Sequence, residues 1–208
     1  MLITLQLQPK QNLYIVVISY YDMLDDYDIF GDTSELEKIL DSNEISLFDI
    51  NSNCYKIPKD YERIELDFKS KDYDSVIREV CDDLLGILDD YNFSSSLYTG
   101  IYESILNAYQ HGNDSNPNKD IELSYYIDED KFILNVKDEG KSLSRDFIDY
   151  YLDLKNDKCN KNFYEYSGKE MNGINLGHGV KFMNTYFDDV KYFKSKDNGL
   201  IAHLYKEK

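Results

Sequence analysis

At 208 residues the chain is long enough for one large domain, or for a medium domain with a small unit attached, and 42% hydrophobic residues is a globular value. Its formal net charge of −17 opposes the basic surface with which a nucleic-acid binder displaces phosphate counterions, and it opposes anionic membranes equally. The longest apolar run, 13–18, is too short to cross a bilayer, no basic region precedes an apolar one at the start, and Cys54, Cys81 and Cys159 are scattered, so the expectation is a cytoplasmic protein with reduced thiols.

Residues 1–60 read as a separate small α/β unit. Ile3, Leu5 and Leu7 alternate as in a half-buried strand, and 13–18 reads as a more buried one. Ser34-Glu35-Leu36-Glu37 has capping-box spacing and opens a short helix, a strand follows near 45–50, and Pro58 marks the edge of the unit. No chemical constellation stands out here, so a structural or docking role is expected.

From Tyr61 the pattern sharpens. Ile64, Leu66 and Phe68 alternate as a strand, and Tyr73, Val76, Ile77, Val80, Leu84, Ile87 and Leu88 follow helical spacing over about 72–90. Ser94, Ser95 and Ser96 offer N-caps for a second helix whose apolar face is Leu97, Ile101, Ile105 and Ala108, with Gly112 as its stop. Glu103, Asn107 and His111 lie four apart on that helix, a stripe that drifts only about 40° per step. A polar loop with Pro117 leads to alternating strands at 121–127 and 131–137, the second running into Asp138-Glu139-Gly140. The stretch 141–176 is long, charged and weakly patterned apart from a helix near 144–154, as lids often are. Gly177-His178-Gly179 then opens a helix, and a hairpin closes the sequence: a strand near 190–195, an Asp197-Asn198-Gly199 turn, and a strand over 200–205.

Three pieces carry chemistry. Glu103 and Asn107 offer a proton acceptor beside an amide oxygen that suits a hard cation. Asp138, at a strand end with Gly140 beyond it, suits an exocyclic amine. Gly177-x-Gly179 before a helix suits a phosphate, because free N–H groups gather at the positive end of the helix dipole. Taken singly, they also read as a wet helix face, a turn aspartate and a tight turn.

In their order and spacing the pieces resemble the GHKL ATP-binding superfamily, which includes the ATPase domains of sensor histidine kinases, gyrase and MutL. The likeness covers about 62–208 and is greatest to the short bacterial anti-sigma-factor serine kinases. It implies an α+β fold, a two-layer α/β sandwich with a mixed, mostly antiparallel sheet and helices on one face. It implies ATP or ADP as ligand, with Asn107 ligating Mg²⁺ and Glu103 as general base. Asp138 would bind the adenine amine with Gly140 beside it, Gly177 and Gly179 would lie near the phosphates at the end of the lid, and His111 occupies a position often histidine in the anti-sigma subgroup. Ser142 stands where the family usually has its last G1-box glycine, Val180 replaces the usual leucine, and Arg145, Lys169 and Lys181 are the basic residues in the neighbourhood of a terminal phosphate.

The resemblance implies a regulatory serine/threonine kinase of the anti-sigma type, with a protein partner such as a sigma factor or its antagonist, no direct nucleic-acid or membrane contact, and a homodimer left open. Its alternatives are a non-catalytic nucleotide-dependent switch and an ATPase.

Overall fold

The computed structural model describes residues 56–208 apart from 141–144, 156, 170–176 and 196–198. The elements expected within 1–55, Ser142, and the Asp197-Asn198 part of the final turn lie outside the described residues. Strand β1, Glu62–Leu66, is followed by helix α1, Tyr73–Asp90. Asp72 caps α1, its carboxylate accepting from the Ser75 amide at 3.0 Å. Val76, Ile77, Cys81, Leu84 and Leu88 form the buried stripe of α1, as the spacing requires.

Helix α2 spans Leu97–Asn107. Of the three serines before it, Ser96 occupies the cap position without a side-chain capping bond, while Ser94 Oγ accepts from the Ser96 amide at 3.2 Å. Strands β2, Ile121–Ile127, and β3, Lys131–Lys137, fall where alternation puts them. Asp128 makes the turn between them, its Oδ1 accepting from the amides of Asp130 and Lys131, each at 2.9 Å. Helices α3, Arg145–Lys155, and α4, Phe163–Ser167, precede α5, Gly179–Tyr186, and the chain ends in β4, Asp189–Lys194, and β5, Leu200–Glu207.

The five described strands form one sheet in the order β1-β2-β3-β5-β4, and every pairing is antiparallel. The expected two-layer α+β sandwich is present. Register sets its faces: Leu123 pairs with Val136 and Val136 with Ala202, so one face is apolar across the sheet. Leu123, Leu134, Val136 and Leu204 join Ile77, Leu84, Ile101, Ile105 and Met183 in a single core. On the opposite face Ser124, Asn135 and His203 are linked by hydrogen bonds. Burial lowers the His203 pKa to about 4, so the imidazole is neutral and its Nδ1 donates to the Asn135 amide oxygen at 2.7 Å.

The segment expected to form a lid carries more order than its sequence suggests. Phe147, Tyr150 and Tyr151 of α3 pack with Phe163 and Tyr166 of α4 and with Tyr192 of β4, Tyr151 meeting Tyr192 edge-on at 5.1 Å between ring centroids. The Tyr151 hydroxyl also donates to the Val190 carbonyl. These contacts fasten α3 and α4 to the sheet's β4 edge.

Helices α2 and α5 approach closely at Gly100, where a Cβ would stand 2.7 Å from Cε2 of Phe187. Gly86, on the exposed side of α1, has nothing within 4 Å of the same position. One substitution therefore has opposite signs at the two sites. Gly86→Ala stabilises by about 0.5–1 kcal/mol through helix propensity. Gly100→Ala destabilises by about 1–3 kcal/mol because Phe187 must move. Urea unfolding midpoints of the two variants check the pair.

Candidate nucleotide site

The C-terminal end of α2 departs from the regular helix that the polar stripe assumes. After Asn107 the chain makes a π turn, Ala108–Gly112, closed by the Asn113 amide donating to the Ala108 carbonyl at 2.8 Å. Glu103 and Asn107 keep their one-turn spacing, and His111, within the π turn, stands exposed on the wall of the cavity that Asn107 also lines. Surrounding protein lowers the His111 pKa by desolvation, against a smaller raising effect of Asp114.

The π turn carries Gly112 onto Asp138. A Cβ at 112 would lie 2.2 Å from Asp138 Oδ2 and 2.4 Å from its Cγ, so no larger residue fits without displacing the carboxyl. Asp138 itself is only 5% exposed. Its Oδ1 accepts from the amides of Gly140 at 2.7 Å and Leu200 at 3.2 Å, while its own amide donates to the Leu200 carbonyl at 2.9 Å. Burial pushes the carboxyl up to about 6, and the two backbone donors pull the other way without cancelling it. Oδ2 lies against Gly112, and Asp138 is among the residues lining the adjoining cavity.

A second convergence lies at the start of α5. A Cβ at Gly179 would stand 2.6 Å from Glu103 Oε2, 3.1 Å from Asn107 Nδ2 and 3.3 Å from Asn107 Oδ1. Glycine therefore leaves the α5 N-terminus open against both polar side chains of α2. Glu103 is half-buried, and desolvation raises its pKa. Gly177 has φ +67°, the left-handed region that favours glycine, and its carbonyl accepts from the Phe163 amide at 3.0 Å. Tyr164 packs directly against it.

These parts enclose a cavity of about 320 Å³ whose lining includes Asn107, His111, Asp138, Gly140, Gly177 and Gly179, with Phe147, Tyr164 and Tyr192 as aromatic walls. Glu103 sits behind Gly179 rather than on the cavity surface. Three further participants had no functional reading in the sequence. The aromatic walls come from α3, α4 and β4, and the start of α4 is written in a capping box: Asn162 Oδ1 accepts from the Glu165 amide at 2.9 Å, and Glu165 Oε2 from the Asn162 amide at 3.1 Å. Gly199 was read only as a turn glycine, yet a Cβ there would lie 1.9 Å from the Asp138 carbonyl oxygen. Asn113 is fully buried between Asp120 and Glu139.

Among the described residues lining the cavity there is no lysine or arginine. Lys181 donates to Asn160, to its carbonyl at 2.9 Å and its Oδ1 at 3.1 Å, and Lys169 pairs with Asp146 at 2.6 Å. Among the described residues there is also no cluster of three or more His, Cys, Asp or Glu able to cage a metal. An amide oxygen at Asn107 beside the Glu103 carboxylate suits Mg²⁺, which takes oxygen donors and keeps most of its positions for phosphates and water. The residues present therefore fit a Mg·nucleotide rather than a protein-caged ion. No described helix is long and apolar enough to cross a membrane.

A family model for the histidine kinase-like ATPase domain matches residues 94–206, from just before α2 into β5. No curated protein matches the chain.

Because the Asp138 carboxyl is held above its ordinary value of 3.8, at about 6, folding loses stability as pH rises through this window. The loss is absent below 3.8, complete above about 6, and on the order of 3 kcal/mol for a shift of this size. Asp138→Asn keeps an acceptor for Gly140 and Leu200 but does not titrate. The variant is expected to melt above the wild type at pH 8, with the gap narrowing toward pH 5, as thermal unfolding at the two pH values would show.

Proposed function

The chain belongs to the histidine kinase-like ATPase domain family, and on that premise we propose that it binds Mg·ATP in the cavity between α2, Asp138 and the Gly177–Gly179 turn and acts as a serine/threonine protein kinase of the anti-sigma type. The observation that carries the reading is the convergence of two polar α2 side chains on Gly179, with a buried, fixed carboxylate at the other end of the same cavity. Asp138 Oδ2 accepts the exocyclic amine of adenine. Asn107 would hold Mg²⁺ through its amide oxygen, and the amides at the α5 N-terminus would meet the phosphates. A Mg²⁺ held by Asn107 would supply charge neutralisation at the phosphate oxygens. Glu103, its basicity raised by burial, takes the proton from a serine or threonine hydroxyl as that oxygen attacks the terminal phosphorus, while the bond from that phosphorus to the bridging oxygen breaks and ADP leaves with the electron pair. The substrate is a small antagonist protein, and a sigma-factor-like protein is the regulatory partner; both follow from the sequence resemblance.

One feature favours a second reading. With no lysine or arginine among the described cavity residues, charge on a transferring phosphoryl group has only backbone amides and the metal to meet it. A nucleotide-dependent switch without transfer would need no more than that.

Incubation with γ-labelled ATP and a cell extract is expected to label one small protein on serine or threonine. Glu103→Ala should lower that labelling by about 10²–10⁴-fold while nucleotide affinity stays within about threefold. Binding by both proteins with labelling by neither establishes the switch instead. Asn107→Ala is expected to weaken Mg-dependent nucleotide binding by about tenfold or more; unchanged Mg·ATP affinity in a calorimetric titration would remove Asn107 from the site.

A further inference from the structure

Asn113 does not line the cavity. It is nevertheless fully buried, directly follows the π turn, and uses both ends of its amide on backbone. Nδ2 donates to the Asp120 carbonyl at 3.0 Å, and Oδ1 accepts from the Glu139 amide at 2.9 Å. The Asp120 amide in turn donates to Glu139 Oε1 at 3.3 Å.

The consequence lies one residue upstream of Glu139. The peptide unit before the Asp138 Cα is tied to β5, through the Asp138 amide and the Leu200 carbonyl. The peptide unit after it is tied by Asn113, through the Glu139 amide. With both flanking units held, the Cα–Cβ direction of Asp138 is set, and with it the aim of the one carboxylate oxygen that Gly140 and Leu200 leave available. Asn113 also follows Gly112 in the chain, so the backbone that presses on the carboxyl and the side chain that orients it come from adjacent residues.

We infer that Asn113 is a positioning residue for base recognition: it holds Asp138 at the angle that accepts an exocyclic amine, and so sets a preference for amine-bearing purine nucleotides. The inference rests on the nucleotide reading of the cavity. Asparagine suits the task because a carboxamide supplies one donor and one acceptor at fixed separation, matching a carbonyl on one side and an amide on the other. Serine would be too short to span them, and leucine would offer neither the Asp120 carbonyl nor the Glu139 amide a partner.

The test compares ATP with purine riboside triphosphate, which lacks only the exocyclic amine, by calorimetric titration of the full chain at pH 8 with Mg²⁺. Wild-type protein is expected to favour ATP by on the order of tenfold or more, the worth of one hydrogen bond to a charged acceptor. In Asn113→Ala that preference should fall to within about threefold, while affinity for the amine-free nucleotide stays within about threefold of wild type. A folded Asn113→Ala that retains the preference, or that loses both nucleotides equally, overturns the inference and leaves the nucleotide site standing. Wild-type protein that binds neither triphosphate overturns the nucleotide reading and the inference together. Should Asn113→Ala not fold, Asn113→Ser carries the test, since its side chain is too short to span the Asp120 carbonyl and the Glu139 amide. Collapse of the ATP preference in that variant supports the assignment, and preservation of the preference overturns it.

Discussion

A carboxylate buried against glycine backbone is the constraint around which the cavity is arranged. Asp138 sits at the end of β3 with Gly112, Gly140 and Gly199 within what would be clashing distance of a side chain, and with backbone amides of Gly140 and Leu200 on Oδ1. The arrangement joins the end of α2, the end of β3 and the start of β5, three elements distant in sequence. It is costly in isolation, since burial drives the carboxyl up to about 6. A buried group held at that cost is more often a recognition element than a structural one. The rest of the site is placed relative to it: α2 leads into Gly112 at one end and presents Asn107 and Glu103 to Gly179 one or two turns earlier.

Much of this was legible in the residues. The strands at 121–127 and 131–137 emerge with their expected bounds because each alternates through seven residues with a short acidic turn between. Helix 73–90 emerges because five apolar positions keep helical spacing and Asp72 caps it. The order of Glu103, Asn107, Asp138, Gly140, Gly177 and Gly179 suggests one site, and the fold sets all of them but Glu103 on one cavity, with the Glu103 carboxylate against Gly179. The family match to 94–206 supports the same frame without assigning roles to the residues.

What was not legible has physical reasons. A π turn has no distinct hydrophobic period, so nothing in Ala108-Tyr109-Gln110-His111-Gly112 announces that the helix widens there and brings Gly112 onto Asp138. Gly199 looked like an ordinary hairpin glycine because its close neighbour, the Asp138 carbonyl, is 61 residues away in the sequence. Asn113 was hidden in the same way, as its partners Asp120 and Glu139 lie on the far side of a loop and a strand pair. Helix α4 is only five residues long, too short for periodicity to reveal, although the Asn162–Glu165 capping pair marks its start. In each case the signal lies in tertiary contacts, or in a span shorter than a period.

The aromatic packing of α3 and α4 on β4 adds a functional consequence. Phe147, Tyr164 and Tyr192 wall a cavity whose other side is α2 and Asp138. A ligand there would touch the helix layer, the sheet end and the α3–α4 segment at once. Hydrogen exchange of the backbone amides with and without Mg·ATP tests this directly. The account predicts slowed exchange in 103–113, 138–140 and 177–181 and around the walling residues Phe147 and Tyr164, with the rest of the described chain little changed. Nucleotide-dependent protection confined to other stretches, or none at saturating Mg·ATP, would contradict it.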